Sequence, residues 1–164
     1  MTDGSGSPSG HYHTWMDFIF PYVKSVQVYV CPSATYNTAY PSYGYSSALG
    51  GRNVSSYGGT AGIPVALASV QRPAECTMLI DYNSNYSFYA NPIDTRNYAN
   101  STSTVTQGRI APHLEGGNAA YADGHVKWVA RAKMAAIASG NGACNPSAPT
   151  ADAYCDPNWN PFIS

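Results

Sequence analysis

Charge is the scarcest property of this sequence. Only 10% of its 164 residues are Asp, Glu, Lys or Arg, against about 25% in an ordinary soluble domain. Eight Lys and Arg are scattered along the chain and balanced by nine acids to a net charge of −1. Gripping phosphates needs a basic cluster, so no nucleic-acid partner is expected. Long apolar runs are missing as well. No window approaches the roughly 18 to 20 apolar residues of a membrane span, and the opening stretch MTDGSGSPSGHYH is polar and rich in Gly and Ser. No Gly-x-Ser-x-Gly elbow, phosphate loop or His-Glu-x-x-His helix occurs, so the usual marks of an enzyme are absent. The four cysteines form no Cys-x2-Cys pair, which argues against a zinc site.

What fills the chain instead is Ser, Thr, Asn and Gly, with fourteen Tyr. Its length suits one domain with a single core. Tyrosine offers rigid contact area with a hydroxyl at its tip, which suits an extracellular assembly or a sugar-contacting surface. The same tyrosines equally read as half-buried strand residues.

Local patterns predict a few elements. Thr14 followed by Asp17 at the third helical position reads as a capping box, and Trp15, Phe18, Ile19 and Tyr22 fall at helical spacing. Pro21 is expected to end or kink that helix. Residues 25–31 alternate Val26, Val28 and Val30 against polar neighbours, so a strand closed by Pro32 is expected, with a second strand over 76–82. Residues 118–122 and 125–129 flank Asp123-Gly124, a pair favoured in two-residue hairpin turns. That register sets Ala119 against Trp128 and Tyr121 against Val126, with all four on the core face. Asn118, Ala120, Ala122, His125, Lys127 and Val129 then share the wetter face. A short helix is expected over 130–138, and residues 32–64 and 83–112 read as long polar connections. The fold class expected is α+β, a small antiparallel sheet with a helix on one face and long Tyr/Ser/Gly-rich loops.

His113, nine residues, then Asp123-Gly124 within AYADGHVKWV resembles the C-terminal signature of the bacterial prepilin-like H-x9-DG family. TWMDFIFPYVKSVQVYVCPSA, SYGYSSALGG and RPAECTMLIDY are similar to other family segments, in the family's order, so the resemblance covers roughly residues 14 to 130. One departure is Pro112, where the family often has Arg; the nearest Arg is Arg109. The resemblance implies a pilin-like globular head: a structural subunit of an extracellular filament, type IV pilus or type II secretion pseudopilus at the bacterial cell surface. Its partners would be copies of itself or other pilin-like subunits. Relatives reach the membrane through a basic leader and an apolar helix that this sequence does not show. The chain is therefore expected to be the soluble part of a longer precursor or a short relative that assembles without that helix. The layout expected is a flexible polar segment over 1–13, a pilin-like domain over 14–140 and a disulfide-closed tail over 141–164.

Candidate sites follow. Cys144 and Cys155 enclose a Pro-rich segment with little to anchor it, where a disulfide limits loop freedom; this resembles the stapled C-terminal region of type IV pilins. Cys31 and Cys76 lie on predicted strands, and a disulfide between them is favoured over free buried thiols. His113 and Asp123 invite a general-base dyad. Five strand residues between Asn118 and Asp123 span about 16 Å, however, so the two are not expected to meet and no catalytic residue is assigned. His113 is instead expected to tie the loop entering the hairpin to the neighbouring strand, Asp123 and Gly124 to form the turn, and Trp128 to pack in the core. Resemblance to major pseudopilins implies calcium in the C-terminal loop, with Asp152 and Asp156 as candidates beside Asn158 and Asn160. Asp81 with Asp123 is a second candidate pair for calcium. The alternative function is a secreted glycan- or surface-binding module acting through loop tyrosines such as Tyr40, Tyr43 and Tyr45.

Overall fold

Thr14 opens the first helix in the computed structural model, which describes residues 14–34, 41–50, 64–83, 89–137, 156 and 158–161. The Asp17 carboxylate accepts the Thr14 backbone N–H at 2.6 Å and the Thr14 hydroxyl at 2.9 Å, completing the capping box of helix α1 (Trp15–Val23). Pro21 lies inside α1 without ending it. It sits in the last turn, just before the chain leaves at Lys24 with φ 57.

The strand expected over 25–31 is a correction: Val26–Tyr29 form a turn of 3-10 helix. Alternating valines signal a half-buried strand only if they find a face to cover, and Val26 and Val28 stay exposed. Tyr29 does the packing. Its ring meets Trp15 edge-on at 5.8 Å between centroids, and its hydroxyl donates to the Met16 carbonyl at 3.0 Å.

Five strands form one sheet: β1 (Tyr43–Ser46), β2 (Thr77–Asp81), β3 (Tyr89–Ala90), β4 (Gly116–Tyr121) and β5 (Val126–Ala130), in the order β3-β1-β2-β4-β5. All neighbours are antiparallel except β1 with β3. The chain is thus α+β. The described residues also hold helices α2 (Pro92–Ala99), α3 (Thr104–Gln107) and α4 (Arg131–Ala135). Two of these arise inside the span read as a polar connection, and their signals are local caps. The Asn91 side chain accepts the Asp94 N–H at 2.9 Å just before Pro92, and the Ser103 hydroxyl accepts the Thr106 N–H at 3.4 Å. No helix among the described residues is long and apolar enough to cross a membrane.

The main core gathers Ile80, Ala119 and Tyr121 from the sheet with Ala99, Ile110, Met134 and Ile137 from the helical side. Trp159 joins them at 3% exposed. The Thr77 N–H donates to the Asn158 carbonyl at 2.7 Å, and the Gln71 N–H to the Pro161 carbonyl at 2.9 Å. Residues 158–161 therefore pack with the sheet and its core. Aromatic burial outweighs the polarity of that segment.

The hairpin register also differs from expectation. Asn118 faces Trp128, Ala119 faces Lys127 and Ala120 faces Val126. The Tyr121 N–H donates to the His125 carbonyl and the Gly124 N–H to the Tyr121 carbonyl, both at 2.9 Å. The loop is thus three residues, Ala122, Asp123 and Gly124, with Gly124 at φ 96, the turn-plus-bulge alternative to a two-residue turn. One residue of slip turns every β5 side chain over. Val129 moves onto the core side, while Val126 is 67% exposed and Trp128 47%.

Cys31 and Cys76 are free and buried, not bonded to each other. Cys76 immediately precedes β2, whereas Cys31 lies near Asp81 at the other end of that strand, through His113. Five strand steps cover about 16 Å, and a disulfide needs Cα atoms about 4.4–6.8 Å apart. Cys76 packs with Leu49, Val70 and Ala122, and burial pushes its thiol pKa up to about 11. The Cys144–Cys155 pair lies outside the described residues.

Candidate functional site

The chain enters β4 through a turn built from residues that do not favour it. The His113 N–H donates to the Gly116 carbonyl at 3.0 Å, and the Gly116 N–H returns to the His113 carbonyl at 3.1 Å. Between them Leu114 and Glu115 hold φ of 51 and 61. Left-handed backbone costs an ordinary residue about 1–2 kcal/mol, so the surroundings must hold this turn in place. Trp128 Nε1 donates to the His113 carbonyl at 3.0 Å. The Arg131 N–H donates to the Glu115 carbonyl at 2.8 Å, and Arg131 Nε to Glu115 Oε2 at 2.8 Å. Gly116 lets the Trp128 ring lie flat on the strand, because a Cβ there would overlap the ring.

That turn delivers the His113 imidazole to Cys31 and Asp81. Nε2 lies 3.5 Å from Cys31 Sγ and 3.7 Å from Asp81 Oδ2. The Cys31 N–H donates to Ser42 Oγ at 2.8 Å, and Asp81 Oδ2 accepts the Asn118 N–H at 2.5 Å and its side-chain amide at 3.3 Å. Cys31 of the Cys-Pro-Ser segment, Asp81 at the end of β2 and His113 of the H-x9-DG motif thus meet at one point. Asp81 is 1% exposed, and its Oδ1 has no hydrogen-bond partner among the described residues. Burial raises its pKa, against the opposing pull of the Asn118 N–H, His113 and the Asn118 amide.

This arrangement ties three separate segments together. A nucleophilic relay places the carboxylate on the imidazole nitrogen opposite the one that faces the nucleophile; here thiol and carboxylate face the same nitrogen. Among the described residues, no group of three or more His, Cys, Asp or Glu side chains is placed to hold a metal ion.

The calcium candidates are dispersed. Asp81 sits level with Asn118 near the start of β4, and Asp123 follows its far end, so that pair does not form. Asp156 Oδ1 accepts the Asn158 N–H at 2.8 Å and its side-chain amide at 2.6 Å, capping its own turn. Asp152 lies outside the described residues.

Asp123 does pair with a histidine, but with His125. Its Oδ1 accepts the His125 N–H at 3.1 Å and meets Nδ1 at 2.6 Å. The ring stacks on Tyr121 at 4.4 Å and 4°. Those bonds, the backbone one first, lower the Asp123 pKa. Sequence reasoning missed this pair, although an Asp two residues before a His across a tight turn is its local signal.

Away from these polar pins lies an apolar groove of about 390 Å³, lined by Ile19, Val28, Leu79, Ala120 and Val126 among others. On α1, Phe18 is 70% and Tyr22 87% exposed. The expected face for α1 predicted its apolar stripe without showing that the stripe is left open. No protein-family model matches the chain, and neither a curated protein nor a solved structure matches it.

Proposed function

We propose that this chain is a structural subunit of an extracellular bacterial filament or secretion pseudopilus, the head of a pilin-like protein whose partners are copies of itself or related subunits. One observation carries the reading: among the described residues, the sheet face opposite the main core keeps an open apolar groove beside α1. Groove residues Val28 and Val126 are 48% and 67% exposed, and α1, which lends Trp15 and Ile19 to the groove, also exposes Phe18, Phe20 and Tyr22. Soluble monomers rarely leave such a surface contiguous, and its usual use is association. Scarce charge removes the repulsion that keeps proteins apart.

The glycan-binding alternative has less support. Tyr43 and Tyr45 are strand residues of β1, not loop tips, and burial raises both phenol pKa values. Tyr40 lies outside the described residues.

Immunogold electron microscopy of the producing cell tests the proposal. Gold along surface filaments is the expected result; gold confined to the cell interior, with no filament carrying it, overturns it.

A further inference from the structure

Strand β5 lies at one edge of the sheet, where β4 is its partner among the described residues. Its free side follows from the register. The Tyr121 N–H donates to the His125 carbonyl and the Arg131 N–H to the Glu115 carbonyl, so residues 125, 127, 129 and 131 turn their backbone groups toward β4. Val126, Trp128 and Ala130 turn theirs outward. Folded proteins blunt such an edge with Pro, bulges or several charges. This one has no Pro and a single charge, Lys127, and it pairs with β4 without a register shift. The side chains of Val126, Lys127 and Trp128 are all exposed.

What completes an unpaired edge is another strand, and β5 fits itself. Laid antiparallel with the two-fold axis at Trp128, it sets Trp128 against Trp128, Val126 against Ala130 and Lys127 against Val129 of the second copy. All five residues of the strand are then paired, and no like charges meet. Other positions of the axis fit worse. An axis at Lys127 puts two lysines directly opposite, and one at Val129 puts Lys127 opposite Arg131, both unfavourable. An axis at Val126 leaves Trp128 facing the turn at Gly124.

We infer that two copies of this chain dimerise through β5, antiparallel about Trp128, and join their sheets into one. Val126, Trp128 and Ala130 exchange about six backbone hydrogen bonds across the axis, and the two indole rings lie side by side on the same face. A patch that pairs with itself closes at two copies. The contact therefore goes beyond the filament reading above and stands or falls without it.

Sedimentation velocity of the full chain and its variants tests it. Ala130 has φ −62, the value that proline imposes, and its N–H points away from β4. Ala130→Pro therefore keeps the monomer fold while removing a donor from the free edge and placing a ring there. The parent is expected to dimerise, and Ala130→Pro to associate about tenfold more weakly with an unchanged circular dichroism spectrum. Trp128→Lys sets like charges on the axis from an exposed position, is expected to weaken the dimer likewise, and decides the matter if Ala130→Pro fails to fold. An equal mixture of parent and Lys127→Glu is expected to associate no more tightly than the parent; tighter association puts Lys127 on the axis and overturns the register. A folded variant of either kind that dimerises as the parent does overturns the inference, as does a parent chain that stays monomeric at every concentration. Immunogold labelling of filaments decides the other reading independently.

Discussion

A side chain at position 116 or 117 has nowhere to go. A Cβ on Gly116 would overlap the Trp128 ring and lie 2.6 Å from the Val129 carbonyl, and one on Gly117 would overlap the Ile110 carbonyl. Gly116→Ala and Gly117→Ala are each expected to cost about 1–3 kcal/mol in urea unfolding. Gly124 differs: nothing lies within 4 Å of its added Cβ, so Gly124→Ala meets backbone strain alone at φ 96 and is expected to cost about 1–2 kcal/mol. The two aspartates titrate in opposite senses. Asp123, lowered by His125, contributes stability above its ordinary pKa that is lost as pH falls through the folded value. Its NMR titration is expected below 3.8, the ordinary value, moving only part of the way back in His125→Ala because the backbone bond remains. Asp81, raised by burial, contributes stability at low pH that is lost as pH rises through its folded value. Thermal melts of Asp81→Asn are expected to lack that decline. Of these residues, Asp123 and Gly124 were legible as turn formers because turn chemistry is local. The partner of His113 was not, since Asp81 reaches it only through the pairing of β2 with β4.

At the scale of elements, short-range signals survived and register did not. The Thr14–Asp17 cap and the Asp123-Gly124 hairpin both occur where the sequence predicts them. A three-residue loop and a two-residue loop share the same Asp-Gly signature, however, and the extra residue sends Trp128 to the open face. Trp128→Phe is accordingly expected to remove much of the acrylamide-quenchable fluorescence while costing about 0.5–1.5 kcal/mol, the worth of its hydrogen bond to His113. A core tryptophan would resist quenching, as Trp159 is expected to do at 3% exposed. Strand β1 and helices α2 and α3 went unread because their apolar content is too low for periodicity to show. Non-reducing digestion followed by mass spectrometry is expected to find no Cys31–Cys76 cross-link, since the two thiols lie at opposite ends of β2.

At the scale of the whole molecule, among the described residues the sheet has one face packed by α2, α4 and the segment around Trp159, and on the other an open apolar groove between the sheet, α1 and the 3-10 turn. The fold class was legible in the sequence. The open face was not, because exposure depends on which elements fail to cover a surface, and amphipathic spacing reports only that a surface exists. Few charges surround it, so association through it is driven by burial of apolar area and resists salt, whereas contacts between charges weaken as ions screen them. Multi-angle light scattering of the full chain at rising concentration, in about 0.1 M and then about 1 M salt, measures this most directly. The expected result is a weight-average mass that climbs above the 17.4 kDa of a single chain and climbs at least as steeply in high salt. A mass that stays at 17.4 kDa across the series, or association that vanishes in high salt, would contradict assembly through the apolar face.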